Sequence, residues 1–137
     1  MKLLRVYLDT SVVGGCLDPE FATWSLGLLA DLRAGRFRPV VSDLLAAELA
    51  RAPKSVQSVY AELRAMEPDE VTTGEEALAL LAAYERATVL GPRFRADMLH
   101  IALATVGNAD VLVSWNFRHI VRVDKIRLFD AVSTAEG

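Results

Sequence analysis

Val6-Tyr7-Leu8-Asp9-Thr10-Ser11 runs from an apolar, strand-like segment straight into a polar island. Val111-Leu112-Val113-Ser114-Trp115-Asn116 repeats that pattern towards the other end of the chain. Short apolar runs that stop at turn-forming residues read as buried strands. Pro39-Val40-Val41-Ser42 reads as another strand, Val71-Thr72 as a brief one, and residues 126–129 as a last one. Between them the apolar period changes to that of a helix. Trp24, Leu28, Leu29 and Leu32 mark a helix over 23–34, with Gly35 as its stop. Ser42 or Asp43 caps a second that runs to about Arg51, and Pro53 closes it. Val56, Val59, Tyr60 and Leu63 mark a third over 54–65. Leu78, Leu81 and Ala82 mark a fourth over 75–86, after Thr73 or Gly74. Gly91-Pro92 makes a turn, and an apolar helix over 95–106 ends at Gly107-Asn108. Residues 118–122 read as a short helical turn.

Strands that alternate with helices predict an α/β fold, a mostly parallel sheet with helices on both faces: an α/β/α sandwich. The 137 residues suffice for a single domain, 1–137, with one core. Hydrophobic residues make up 53% and charged residues 24%, which excludes a disordered chain. No apolar run approaches the ~20 residues that cross a bilayer. Met1-Lys2-Leu3-Leu4-Arg5 leads into a strand, not into a signal peptide, so the expected location is the cytoplasm. Cys16 is the only cysteine, which leaves no intramolecular disulfide and no thiolate zinc site. The net charge of −3 argues against binding nucleic acid through bulk charge. Local basic stretches occur at residues 33–38, 93–95 and 118–127. The chain has no P-loop, no nucleophile elbow and no deaminase signature.

In an open parallel sheet, ligands collect beyond the carboxyl ends of the strands. Asp9 and Asn116 lie just past two such ends. Glu48 borders the apolar stripe of its helix, and Asp97 opens the apolar helix. Carboxylates converging from strand ends and neighbouring helices make a hard, oxygen-rich site, suited to Mg²⁺ or Mn²⁺. The chemistry to expect is metal-dependent phosphodiester hydrolysis, with Asp9, Glu48, Asp97 and Asn116 as metal-binding and catalytic residues. Thr10, Ser11 and Ser114 flank these as hydroxyl partners of carboxylate or phosphate. His100 shares a helix face with Asp97 at i and i+3, and His119 follows Asn116 by three residues. Both are expected to approach substrate. Each residue also has a plain structural alternative: a helix cap or Asx-turn for Asp9, an exposed helix position for Glu48, a helix N-terminal charge for Asp97, a satisfied core residue for His100.

These islands, in this order and over about residues 5–129, resemble the PIN-domain ribonucleases, including the VapC-type toxins. The resemblance rests on Tyr7-Leu8-Asp9-Thr10-Ser11-Val12-Val13-Gly14-Gly15, on Val41-Ser42-Asp43 with Glu48 and Ala52-Pro53, and on Asp97-Met98-Leu99-His100-Ile101-Ala102-Leu103-Ala104. It extends through Ala109-Asp110-Val111-Leu112-Val113-Ser114-Trp115-Asn116-Phe117-Arg118-His119-Ile120. It implies an Mg²⁺- or Mn²⁺-dependent endoribonuclease whose acids are Asp9, Glu48 and Asp97, with an RNA substrate and an antitoxin protein as partner. The family's fourth acidic position falls at Asn116. One charge fewer weakens a second metal, so a catalytically weak or inactive PIN-like RNA-binding domain is the alternative. The resemblance and the apolar helices of residues 54–86 together imply a two-fold homodimer through that helical pair.

Overall fold

The structure is a computed structural model, and it describes residues 3–87 and 92–116. Four strands, β1 (Arg5–Leu8), β2 (Arg38–Ser42), β3 (Asp69–Val71) and β4 (Val111–Val113), form one sheet in the order β3-β2-β1-β4. Every pairing is parallel, with Tyr7 level with Val40 and Leu112, and Leu8 level with Val113. β1 is paired on both sides, and the chain reverses its direction of travel across the sheet there: β2 and β3 lie on one side, β4 on the other.

Among the described residues six helices cover the sheet: α1 (Thr10–Gly15), α2 (Ala22–Arg33), α3 (Asp43–Leu49), α4 (Lys54–Ala65), α5 (Glu75–Arg86) and α6 (Arg95–Val106). A 3₁₀ turn at Pro92–Phe94 leads into α6. Side chains alternate across β1 and β2 and so divide the core in two. Tyr7 and Val40 face Leu80, Leu81 and Tyr84 of α5 and Met98, Ala102 and Leu103 of α6. Leu8 and Val41 face Val12 and Val13 of α1, Leu45 and Leu49 of α3, and Val56 and Leu63 of α4. The α/β/α sandwich read from the alternation is therefore present. α6 carries six buried residues, Met98, Leu99, His100, Ala102, Leu103 and Ala104, as befits a helix wedged between sheet and α5.

Local chemistry explains the element ends. Ser42 caps α3, its Oγ accepting from Leu45 N at 3.1 Å, and Asp43 complements the first turn. Gly35 terminates the α2 segment at φ +76°, a conformation that costs glycine nothing. Helix α1 has no counterpart in the sequence reading. Two adjacent valines and two glycines disfavour it locally. Its formation rests on the Asp9 cap, which accepts from Val12 N, and on burial of Val12, Val13 and Gly15.

Two expectations need correction. Trp24 and Leu78, counted with the apolar stripes of their helices, are 67% and 46% exposed. They lie on the outer flank of their helices, where the apolar stripe is wider than the face that meets the sheet. Helices α4 and α5 also do not form a pair. They belong to opposite layers, so residues 54–86 offer no single dimer face, and Val56, Leu63, Leu81 and Tyr84 are spent inside the chain. The turn and strand read over 118–122 and 126–129 lie outside the described residues.

Candidate active site

The carboxyl edge of the sheet gathers Asp9 after β1, Ser42 at the end of β2 and Ser114 after β4. Asp9 and Ser114 stand at the point where the strand order reverses, the crevice where such sheets bind ligands. Asp9 is 2% exposed, and its carboxylate is fully engaged. Oδ1 accepts from Ser11 Oγ at 2.6 Å and from Val12 N at 3.3 Å, and Oδ2 accepts from Ser114 Oγ. Ser11 Oγ in turn accepts from Trp115 N at 2.8 Å, and Ser114 Oγ from Asn116 N at 3.1 Å. The polar islands after β1 and β4 thus lock together around one buried carboxylate. Asp9 is the cap of α1 and also stands at the crevice.

Glu48 reaches the same edge from α3. Its Oε1 accepts from Thr10 Oγ1 at 2.5 Å and from His100 Nε2 at 2.7 Å. The far side of the His100 ring is equally constrained: Nδ1 lies 2.6 Å from Tyr7 OH, which lies 2.8 Å from Ser42 Oγ. For a neutral imidazole, donor counting sets the direction of this line. An ionised carboxylate only accepts, so Nε2 carries a proton towards Glu48. A neutral imidazole then has an acceptor at Nδ1, and Tyr7 donates to it. Ser42 donates to the Tyr7 oxygen while accepting from Leu45 N. His100 is 2% exposed and both its nitrogens are satisfied, so it is a buried residue that acts on Glu48, not an open substrate contact.

Ionisation follows the same geometry. Burial tends to raise the Glu48 carboxyl, but the hydrogen bonds from His100 and Thr10 outweigh it and hold the group below its ordinary value. Burial pushes the Tyr7 phenol far up, Ser42 opposes weakly, and the charges of Asp9, Glu48 and Asp43 add to the rise. Tyr7 therefore remains a neutral donor wherever the protein is folded.

Asp97 and Asn116 meet in a neighbouring cleft of about 800 Å³, lined also by Glu20, Phe21, Arg93, Phe94 and Trp115. Thus Asp9, Ser11 and Ser114 form one cluster, Glu48, Thr10 and His100 a second, and Asp97 with Asn116 line the cleft beside them. His119 lies outside the described residues. The oxygen donors have the right chemistry for a hard cation. Among the described residues, however, no three Asp, Glu, His or Cys groups stand close enough to hold an ion. As placed, Asp9 and Glu48 are engaged by hydroxyl and imidazole donors, so the residues supply the chemistry of a cation site without its closed geometry.

The sequence reading missed Tyr7, Ser42 and the aromatic lining of the cleft. Tyr7 had a signal: a tyrosine in a buried strand needs a partner for its hydroxyl. The basic stretch at residues 33–38 proves structural. Arg33 pairs with Glu62, Arg36 with Asp31 and Arg38 with Asp69.

No family model matches the chain, and no curated protein matches it in sequence. Among solved structures it is similar to one described as VapBC2 from Rickettsia felis bound to a DNA fragment from their promoter. The TM-score is 0.60 at 14% identity, over 89% of this chain and 95% of that one. At that identity the likeness speaks for the fold, which is PIN-like.

Glu48 provides a pH test. Its folded-state pKa is depressed, so the stability it contributes is complete above the ordinary value of 4.5 and is lost as pH falls through the folded value. In metal-free buffer, denaturant unfolding of the parent should weaken more steeply below pH 4.5 than that of Glu48→Gln. Parallel acid limbs would contradict the assignment.

Proposed function

We propose that this chain is a metal-dependent endoribonuclease and the toxin of a toxin–antitoxin pair. The observation that carries the reading is the carboxyl edge of β1. There Asp9 and Glu48 are each held by hydroxyl donors, at the crevice where this sheet would bind a ligand. Asp97 and Asn116 line the adjoining cleft. The PIN-like fold supports the same reading. The antitoxin partner is inferred from the VapBC2 complex, whose description names two proteins on their promoter DNA.

The donor chemistry of Asp9, Glu48 and Asp97, with the Asn116 amide oxygen, favours Mg²⁺ or Mn²⁺. Such an ion supplies an activated water and neutralises charge on the phosphoryl oxygens. The chain's own residues do the rest. Ser11 and Ser114 hold the Asp9 carboxylate, and Thr10 and His100 hold that of Glu48. Both acids are thereby fixed before substrate arrives. With Asn116 in place of a fourth carboxylate, the site has one negative charge fewer and favours a single ion. A catalytically weak RNA-binding domain is the second reading, and that missing charge is what favours it.

Asp9→Asn keeps the helix cap, because the amide oxygen still accepts from Val12 N, but removes a charge. RNA cleavage in Mn²⁺ should fall at least 100-fold, Mn²⁺ affinity by calorimetry should fall with it, and the melting temperature should hold or rise. Cleavage at the parental rate would contradict the proposal.

A homodimer belongs to the same proposal. Its support is the large apolar side chains left exposed outside the core, Trp24 and Leu26 on α2 and Leu78 on α5. Light scattering at micromolar concentration should give twice the 15.0 kDa chain mass. A monomeric mass would end it.

A further inference from the structure

One layer of the core carries polar groups that packing alone does not call for. Tyr7 is fully buried on β1, and His100 is 2% exposed on α6, in the layer of Met98, Leu99, Ala102 and Leu103. An apolar side chain of similar size would fill either position with no polar atom to satisfy. A buried polar atom is costly unless it is hydrogen-bonded. The two rings meet edge to face, with centroids 5.7 Å apart and planes at 64°. Tyr7 OH stands 2.6 Å from His100 Nδ1, and Ser42 Oγ anchors the phenol from its other side at 2.8 Å.

This pair ends on one atom. Glu48 Oε1 accepts from His100 Nε2 at 2.7 Å and from Thr10 Oγ1 at 2.5 Å. Two donors fill the lone pairs of Oε1. Among the described residues Oε2 has no hydrogen-bond partner, and the Glu48 side chain is 33% exposed. The carboxylate is therefore held by one oxygen and offers the other. That hold depends on the orientation of the ring. Half a turn about its Cβ–Cγ bond would exchange each nitrogen for a carbon, and Glu48 would lose its donor. The bond at Nδ1 opposes that turn, and Tyr7 makes it.

We propose that Tyr7 is a positioning residue: through the His100 ring it fixes Glu48 by Oε1 and leaves Oε2 as the oxygen that binds a divalent cation. The proposal rests on the metal-dependent reading of the site and names the residues that orient one of its ligands. Tyr7 and His100 act through Glu48, not on the ion. Removing a partner that orients a metal-binding carboxylate commonly lowers metal affinity about 10- to 100-fold. A plain structural role, in which the pair only pins β1 to α6, would cost stability without depending on which ring nitrogen is lost.

The test is Mn²⁺ calorimetry on the full chain, with variants whose circular dichroism matches the parent. Tyr7→Phe removes only the hydroxyl and should weaken Mn²⁺ binding about 10-fold. His100→Gln sets an amide nitrogen near the place of Nε2, where it still donates to Glu48. His100→Asn sets one near the place of Nδ1 and leaves Glu48 without it. Asparagine should therefore weaken Mn²⁺ as Tyr7→Phe does, and glutamine less. In the His100→Gln background Tyr7→Phe should change the affinity by no more than about 2-fold, because no ring remains to be held. Parental affinity in Tyr7→Phe, the same loss in both backgrounds, or a smaller loss with asparagine than with glutamine overturns the proposal. If Tyr7→Phe does not fold, the glutamine and asparagine variants decide alone. The two readings fail separately. Mn²⁺ binding that follows this pattern without RNA cleavage keeps the positioning role and removes the ribonuclease. RNA cleavage with Mn²⁺ affinity indifferent to Tyr7→Phe does the reverse.

Discussion

A line of hydrogen bonds through the core, from Ser42 to Tyr7 to His100 to Glu48, sets the arrangement of the carboxyl edge. It starts at the cap of α3, crosses the side of the sheet that faces α6, and ends on a carboxylate of α3 again. β2, β1, α6 and α3 are thereby fixed to one another by polar contacts in a region that is otherwise apolar. Each donor has one acceptor, and a buried group left unpaired would cost about 1–3 kcal/mol. The elements around the site cannot shift without breaking that line. Polar networks of this kind have value only when complete, and this one is complete on both nitrogens of His100.

The central place of β1 follows from its pairing. Because it has neighbours on both sides, Tyr7 must point into one layer and Leu8 into the other, and Asp9 must emerge at the edge. A single strand thus contributes the relay, half of the second core and the buried carboxylate. The opposite edge of the sheet is built for stability instead. There Asp69 accepts from Arg5 in a part-buried pair and from Arg38 in an exposed one, tying β1, β2 and β3 together through ion pairs that solvent partly screens. The candidate site and the charge pairing lie at opposite ends of the same strands.

The periodic elements were legible in the sequence. The helices over residues 54–65, 75–86 and 95–106 begin and end where their apolar spacing and caps say, because each buries a stripe that the spacing encodes. Helix α1 was not legible, since Val12-Val13-Gly14-Gly15 is a poor helix by propensity and forms only because the core receives it. The acids drew attention in the sequence because a charge that interrupts an apolar run stands out. What the sequence hides is which partner each acid meets. Ser11 and Ser114 are 103 residues apart and both bind Asp9. His100 was paired by spacing with Asp97, whereas its ring reaches across the fold to Glu48. Spacing along a helix reports a shared face, but only the sheet order decides what that face meets.

The arrangement rests on the His100 ring bridging two elements, with Nε2 donating to Glu48 and Nδ1 accepting from Tyr7. The ring nitrogen chemical shifts of His100, measured by nuclear magnetic resonance on uniformly ¹⁵N-labelled protein at neutral pH, test it most directly; His119→Gln removes the other histidine from the spectrum. The expected result is a protonated Nε2, an unprotonated Nδ1, and a change in the Nδ1 shift when Tyr7 is replaced by Phe. A proton on Nδ1, whether as the other neutral form or as an imidazolium, would contradict it.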